Sequence, residues 1–251
     1  MSEWLVLALA MAAACTVVLI IVFLNQRRIS EDDDPSETPD VIEYMTMMIG
    51  VVYAIVLGLA IAGVWEAKGA AQDTVRTEAQ ALHEVSERVH VYPAAEQERI
   101  RADVQAYVRY VVDEEFPHMI DTGELTERGD TLLQTLRHHV LEVTPRDERM
   151  AQTYQPLADQ IAVVDDARGA RGQSAGDTMP GVVWFGLVGG ALVTVGLVFT
   201  LQIRRSQREL LLSGLFSALI AFLLFLVWDF DAPFGRSAGD AAGPFTDLFS
   251  L

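Results

Sequence analysis

The chain has 251 residues, is 51% hydrophobic, and carries a formal net charge of −17. An acidic balance of this size argues against nucleic acid as a partner, because phosphates require basic neutralisation. The charge is also segregated: −10 falls on residues 66–178, while four runs hold no Asp, Glu, Lys or Arg. That pattern suits a multi-pass membrane protein better than a soluble globule.

The four runs are 4–24, 45–64, 181–201 and 210–228. Each is about 20 residues long, which at 1.5 Å per residue matches a hydrocarbon core roughly 30 Å thick. The first run has Glu3 and no basic residue before it, and its apolar stretch is too long for a signal peptide, so it reads as a retained span. Its Cys15 is the single cysteine and can form no internal disulfide. Arg27 and Arg28 follow this span, and Arg204, Arg205 and Arg208 separate the last two. Basic short loops stay in the cytoplasm, so both termini and the large insert are expected outside, although Lys68 and Arg76 pull the other way. The acidic run Glu31 to Asp34 between the first two spans reads as a solvated linker or a cation-attracting mouth.

In the second span Gly50, Ala54, Gly58 and Ala62 recur every four residues, with Tyr53 beside them. Small residues at this spacing let helices approach closely. Two readings stand: packing within the four-span unit, or the lining of a symmetric oligomer axis. Nothing breaks the helix after Val64, so it is expected to leave the membrane past Trp65. Val75, Ala79, Leu82, Val85 and Val89 then form one stripe, and Pro93 ends the helix. A second helix over 95–115 places Ile100, Val104, Val108 and Val111 on one face and stops at Phe116-Pro117. Its end carries Asp113-Glu114-Glu115, either a cation site or an exposed polar terminus.

A third helix over 125–143 uses Leu132, Leu133, Leu136, Val140 and Val143. Its His138 and His139 point about 100° apart and cannot readily share an ion, and no metal-ligand spacing occurs elsewhere. His83 and His90, seven apart, read as solvated. Thr144-Pro145 reads as an N-cap and first helical residue, with Asp147 at the third position, opening a fourth helix to about Ala167. Residues 168–177 are rich in Gly, Ala and Ser and read as a flexible return to the third span. That span carries five glycines. After the fourth, Asp229 and Asp231 sit among Trp228, Phe230 and Phe234 and suit either an ion-attracting ring or an interfacial anchor.

The fold expected is therefore all-α: spans in 1–65, an acidic helical insert at 66–178, a second hairpin of spans at 179–228, and a short extramembrane tail at 229–251. No phosphate loop, nucleophile elbow or nucleophile–base spacing is present, so neither an enzyme nor a cofactor is expected. No span carries a central charge, which disfavours a coupled transporter and suits a channel with an apolar constriction or a structural role.

Several segments resemble the bestrophin-like domain family of bacterial and plant membrane proteins. They are Gly50-x-x-Tyr53 through Leu57-Gly58 to Trp65-Glu66, then Glu78-Ala79-x-x-Leu82, Phe116-Pro117-x-Met119, and Asp231-x-Pro233-Phe234-x-Arg236. At Phe116-Pro117 the family prefers Trp-Pro. The resemblance spans nearly the whole chain and implies kinship with bestrophins, which are pentameric chloride channels. A bestrophin calcium-clasp pattern is missing, and the candidate mouths are acidic, which favours cations over anions. The function expected is an oligomeric ion channel or channel-like pore in the cell membrane, in contact with lipid and inorganic ions. Gly50, Tyr53, Ala54, Gly58 and Ala62 would form or pack the conduit, and Asp229, Asp231, Asp113, Glu114 and Glu115 would attract ions. The alternative is a non-conducting scaffold or sensor whose helical insert binds a partner.

Overall fold

The computed structural model describes residues 40–176, 178–200, 207–235 and 241–249, and all regular structure among them is helical. The first expected span, at 4–24, and the Arg204–Arg205 turn lie outside the described residues. Helix α1 runs unbroken over Asp40–Arg88 and ends in a 3-10 turn, Val89–Val91. It is followed by α2 (Ala94–Tyr110), a π-helical turn (Val111–Glu115), α3 (Phe116–Thr122), α4 (Glu127–Glu142), α5 (Glu148–Gln173), α6 (Gly181–Thr200), α7 (Gln207–Asp231) and α8 (Gly243–Phe249). Three of these helices are long and apolar enough to cross a membrane, with spans inside Tyr44–Val91, Gly181–Val198 and Leu211–Asp231. The chain divides into two compact units.

The first unit comprises the described residues up to Trp65 together with Met179–Asp231. Tyr53, Leu57, Val64, Leu187, Ala191, Ile220 and Val227 pack its interior. Its outside is apolar as well: Val52, Ile55, Leu59, Phe185, Leu192 and Leu215 are all more than half exposed. Water would oppose such a surface; lipid tails accept it, and continuous helices leave no backbone group unpaired there.

The second unit comprises Glu66–Thr178 and Ala232–Leu251. The apolar stripe of α1 (Val75, Ala79, Leu82, Val85) meets Ile100, Val104, Val108, Leu133, Leu136, Val140, Leu157, Ile161 and Val164 in one core. Three features differ from expectation. Phe116-Pro117 does not stop the second helix. Pro117 has no N–H for the carbonyl of Asp113, and the chain widens into the π-turn, where the Phe116 N–H bonds to the Val111 carbonyl instead. This re-phasing carries Glu115, Phe116 and Met119 onto the buried side, and α3 then ends at Gly123 (φ 73°), whose left-handed conformation closes the helix. Second, α5 is capped not by Thr144 but by Asp147, which accepts the Met150 N–H at 2.8 Å; of the two, Asp is the stronger cap. Third, residues 168–173 are the last turns of α5 rather than a flexible return. After α7, Phe234 and Phe245 are buried in this core, each with its ring centroid 6.1 Å from that of Phe116.

Candidate functional site

The expected conduit residues of α1 separate into two faces. Tyr53 turns inward with Leu57 and Val64; its hydroxyl donates to the Leu187 carbonyl of α6 at 3.2 Å. Its ring lies over Gly190, where an added Cβ would come within 2.6 Å of Tyr53 Cδ2. Ala54, Gly58 and Ala62 are exposed and Gly50 half-exposed, and a Cβ on Gly50 or Gly58 would meet nothing within 4 Å. Small residues do sit where helices approach closely, but within this unit that place is Gly190 of α6. Among the described residues, no other helix covers the stripe on α1.

At the end of α7, Asp231 is buried and accepts two hydrogen bonds, from the Met179 backbone N–H at 2.7 Å and from Trp184 Nε1 at 2.8 Å. It ties the start of α6 to the end of α7. Asp229 is also buried, and its Oδ1 has no hydrogen-bond partner among the described residues. Trp65 and Phe230 meet edge to face with centroids 5.1 Å apart.

The three acidic residues near Pro117 also part company. Asp113 and Glu114 are exposed, whereas Glu115 is fully buried and lies mid-helix rather than at a helix end. It belongs to an ionic cluster in the second unit. Glu115 Oε1 accepts from Arg171 Nη2 at 2.8 Å, and its Oε2 accepts from Arg168 Nη2 and from the Thr126 hydroxyl, each at 2.7 Å. Arg171 also forks onto Glu78, with Nε–Oε2 at 2.7 Å and Nη2–Oε1 at 3.1 Å. Glu78 Oε1 takes a further bond from the Tyr107 hydroxyl at 2.6 Å. Arg168 reaches out to the half-exposed Asp130, and Arg171 stacks over the Phe116 ring at 5.1 Å. The cluster joins α1, α2, the π-turn, the capping residue of α4, and α5.

Burial alone would raise the Glu115 carboxyl, but Arg171 and Arg168 overcome it and hold the group below its ordinary value of 4.5. The Tyr107 phenol is pushed well above 10.0, first by burial and then by the Glu78 charge. Two carboxylates facing two guanidiniums make a charge-balanced core, although the buried Arg168 Nε has no hydrogen-bond partner among the described residues. The sequence reading missed Arg168 and Arg171, although their three-residue spacing on a helix would have put both on one face.

The histidines are dispersed. His139 Nδ1 lies 2.5 Å from Asp103 Oδ2, His138 Nε2 lies 3.0 Å from Glu142 Oε1, His90 contacts the Glu87 carbonyl, and His83 meets the Phe249 ring. Among the described residues no three His, Cys, Asp or Glu side chains are placed to hold a metal.

A family model described as the Bestrophin-like domain matches residues 12–239. The fold is similar to that of solved bacterial Bestrophin homologs from Klebsiella pneumoniae. One variant is 14% identical, with a TM-score of 0.71 over 100% of this chain and 99% of that one. Another is 13% identical, with a TM-score of 0.70 over 97% and 99%. A structure described as a membrane protein is 14% identical, with a TM-score of 0.69 over 96% of this chain and 98% of that one. A comparison with curated proteins finds no match.

Proposed function

We propose that this chain, which belongs to the Bestrophin-like domain family, assembles into an oligomeric pore that conducts ions. In this reading α1 stands nearest the axis, and the acidic helical unit forms a vestibule. The observation that carries it is the outward stripe Gly50, Ala54, Gly58 and Ala62. Among the described residues, the packing of this unit falls to Tyr53, Leu57 and Val64, and the stripe offers a smooth surface on the opposite side.

Cations suit this pore better than anions. The helical unit between the spans carries −10, and its buried cluster pairs two arginines with two glutamates, which leaves that excess on the rest of the unit. The carboxylates available to attract ions are the exposed ones, including Asp113 and Glu114, rather than Glu115 with its two arginines or Asp231 with its two donors.

The test is flux from proteoliposomes holding the purified chain, under separate potassium and chloride gradients, with oligomer size measured by light scattering. Potassium flux from a defined oligomer supports the reading. Gly58→Leu should then reduce flux at least tenfold while the chain still folds, because there is open space around Gly58 among the described residues. Silence from a well-folded oligomer over a range of voltage and pH would instead favour a scaffold. Unchanged flux in Gly58→Leu would remove α1 from the axis.

A further inference from the structure

Tyr53 is the one α1 residue of the buried apolar face that carries a hydroxyl, and it sits a quarter turn or so from the outward stripe. Its two contacts with α6 differ in kind. The ring is wedged against the bare backbone of Gly190, a close fit that a single methyl would spoil. The hydroxyl donates to the Leu187 carbonyl, an oxygen that a helix already commits to the N–H four residues on. The first contact fixes how near the helices lie. The second is a shared hydrogen bond at 3.2 Å that can be released without leaving the carbonyl unpaired.

The Gly190 carbonyl accepts from the Thr194 hydroxyl at 2.8 Å, so this stretch of α6 is braced by side-chain hydroxyls at two successive turns. Within the span, any rotation of α1 that frees the Tyr53 hydroxyl swings Gly50, Ala54 and Gly58 through nearly the same angle, the twist being taken up before the stripe that begins at Val75.

We propose that Tyr53 is a positioning residue: through Leu187 and Gly190 it sets the rotation of α1 about its own axis, and so which of the outward residues faces the conduit. The inference rests on the pore reading given above. It separates Tyr53 from the residues that line the conduit and assigns it to the equilibrium between conducting and closed arrangements.

Tyr53→Phe keeps the ring over Gly190 and removes only the hydroxyl. Its expected effect is a change of about threefold in the open–closed equilibrium, the size of one typical hydrogen bond between membrane helices. Unitary conductance, oligomer size and thermal stability should stay near those of the parent. Gly190→Ala, which displaces the ring, should shift the same equilibrium further, and adding Tyr53→Leu to it should bring the shift back by making room for the methyl. A residue that merely stabilised the fold would move melting and yield but leave the open fraction alone.

A second measurement does not depend on conduction. In a Cys15→Ser background, spin labels at Leu59 and Leu192, both exposed on this unit, report the distance between α1 and α6. Tyr53→Phe should broaden that distribution, and Gly190→Ala should displace it. If the parent carries no flux, the pore reading fails and the label distances alone judge the role of Tyr53. Should both variants match the parent in label distance, and in gating where there is current, Tyr53 is ordinary packing and the proposal falls.

Discussion

Arg171→Met tests whether the buried cluster is a balanced unit or a set of separable contacts. Arg171 is fully buried and makes three short bonds to two carboxylates. Methionine is flexible enough to occupy much of the vacated space, so the cost is dominated by charge rather than by a cavity. Glu78 would keep only the Tyr107 hydroxyl, while Glu115 would keep Arg168 and Thr126. Removing one member of a buried ion pair costs about 3–5 kcal/mol. The middle of that range is about 4 kcal/mol. For a unit of roughly 130 residues, an unfolding entropy of about 2.1 cal/mol/K per residue converts this to a melting shift of about 15 °C. The assay is thermal unfolding of the full chain in detergent, followed by far-UV circular dichroism. The double variant Glu78→Leu/Arg171→Met should recover at least 1 kcal/mol of the loss, because it removes the orphaned charge as well. A single-variant shift below about 4 °C, or additive costs in the double, would refute the account of a coupled core.

Two glycines give a contrast of the same kind. A Cβ on Gly129 would lie 2.0 Å from Glu115 Oε2 and 2.5 Å from Arg168 Nη2, so Gly129→Ala should cost about 3 kcal/mol or more by prising that pair apart. A Cβ on Gly172 would meet the mobile end of Leu125 at 2.6 Å, and Gly172→Ala should cost less than about 1 kcal/mol. Denaturant titration of both variants ranks them, and a reversed order would contradict the packing described. The pH dependence follows from Glu115. Its folded value lies below its unfolded one, so its contribution is complete above the ordinary value of 4.5 and is lost as pH falls through the folded value. Melting curves between pH 7 and pH 3 should therefore show a loss on acidification that is smaller in Glu115→Gln; equal slopes in the two proteins would exclude Glu115 as a source.

Much of the helical unit was legible because its core obeys helical spacing. Val75, Ala79, Leu82, Val85 and Val89, then Ile100, Val104, Val108 and Val111, are all buried, as periodicity alone demands. What escaped that reading depends on partners distant in sequence. Arg168 and Arg171 lie among Gly, Ala and Ser, which locally favour a loop, and only Glu78 and Glu115, 93 and 56 residues away from Arg171, make a helix worthwhile there. Pro117 read as a stop because local rules make proline a helix breaker; a widened turn let the helix continue past it. On the membrane side, the small-residue stripe was visible in the sequence, but not which way it faced. The aromatic ring of Tyr53, one residue from Ala54, claimed the neighbouring helix instead.

Phe234 and Phe245 follow the last apolar helix, yet they lie in a core otherwise built from residues before α6. A ribosome delivers them after α6 and α7. The nascent helical unit therefore stays incomplete throughout the synthesis of α6 and α7, with Phe116 lacking two of its ring neighbours. Completion of that core therefore waits until α6 and α7 have been made. A message cut short after codon 231 would leave α1, α6 and α7 in place and a helical unit unable to close.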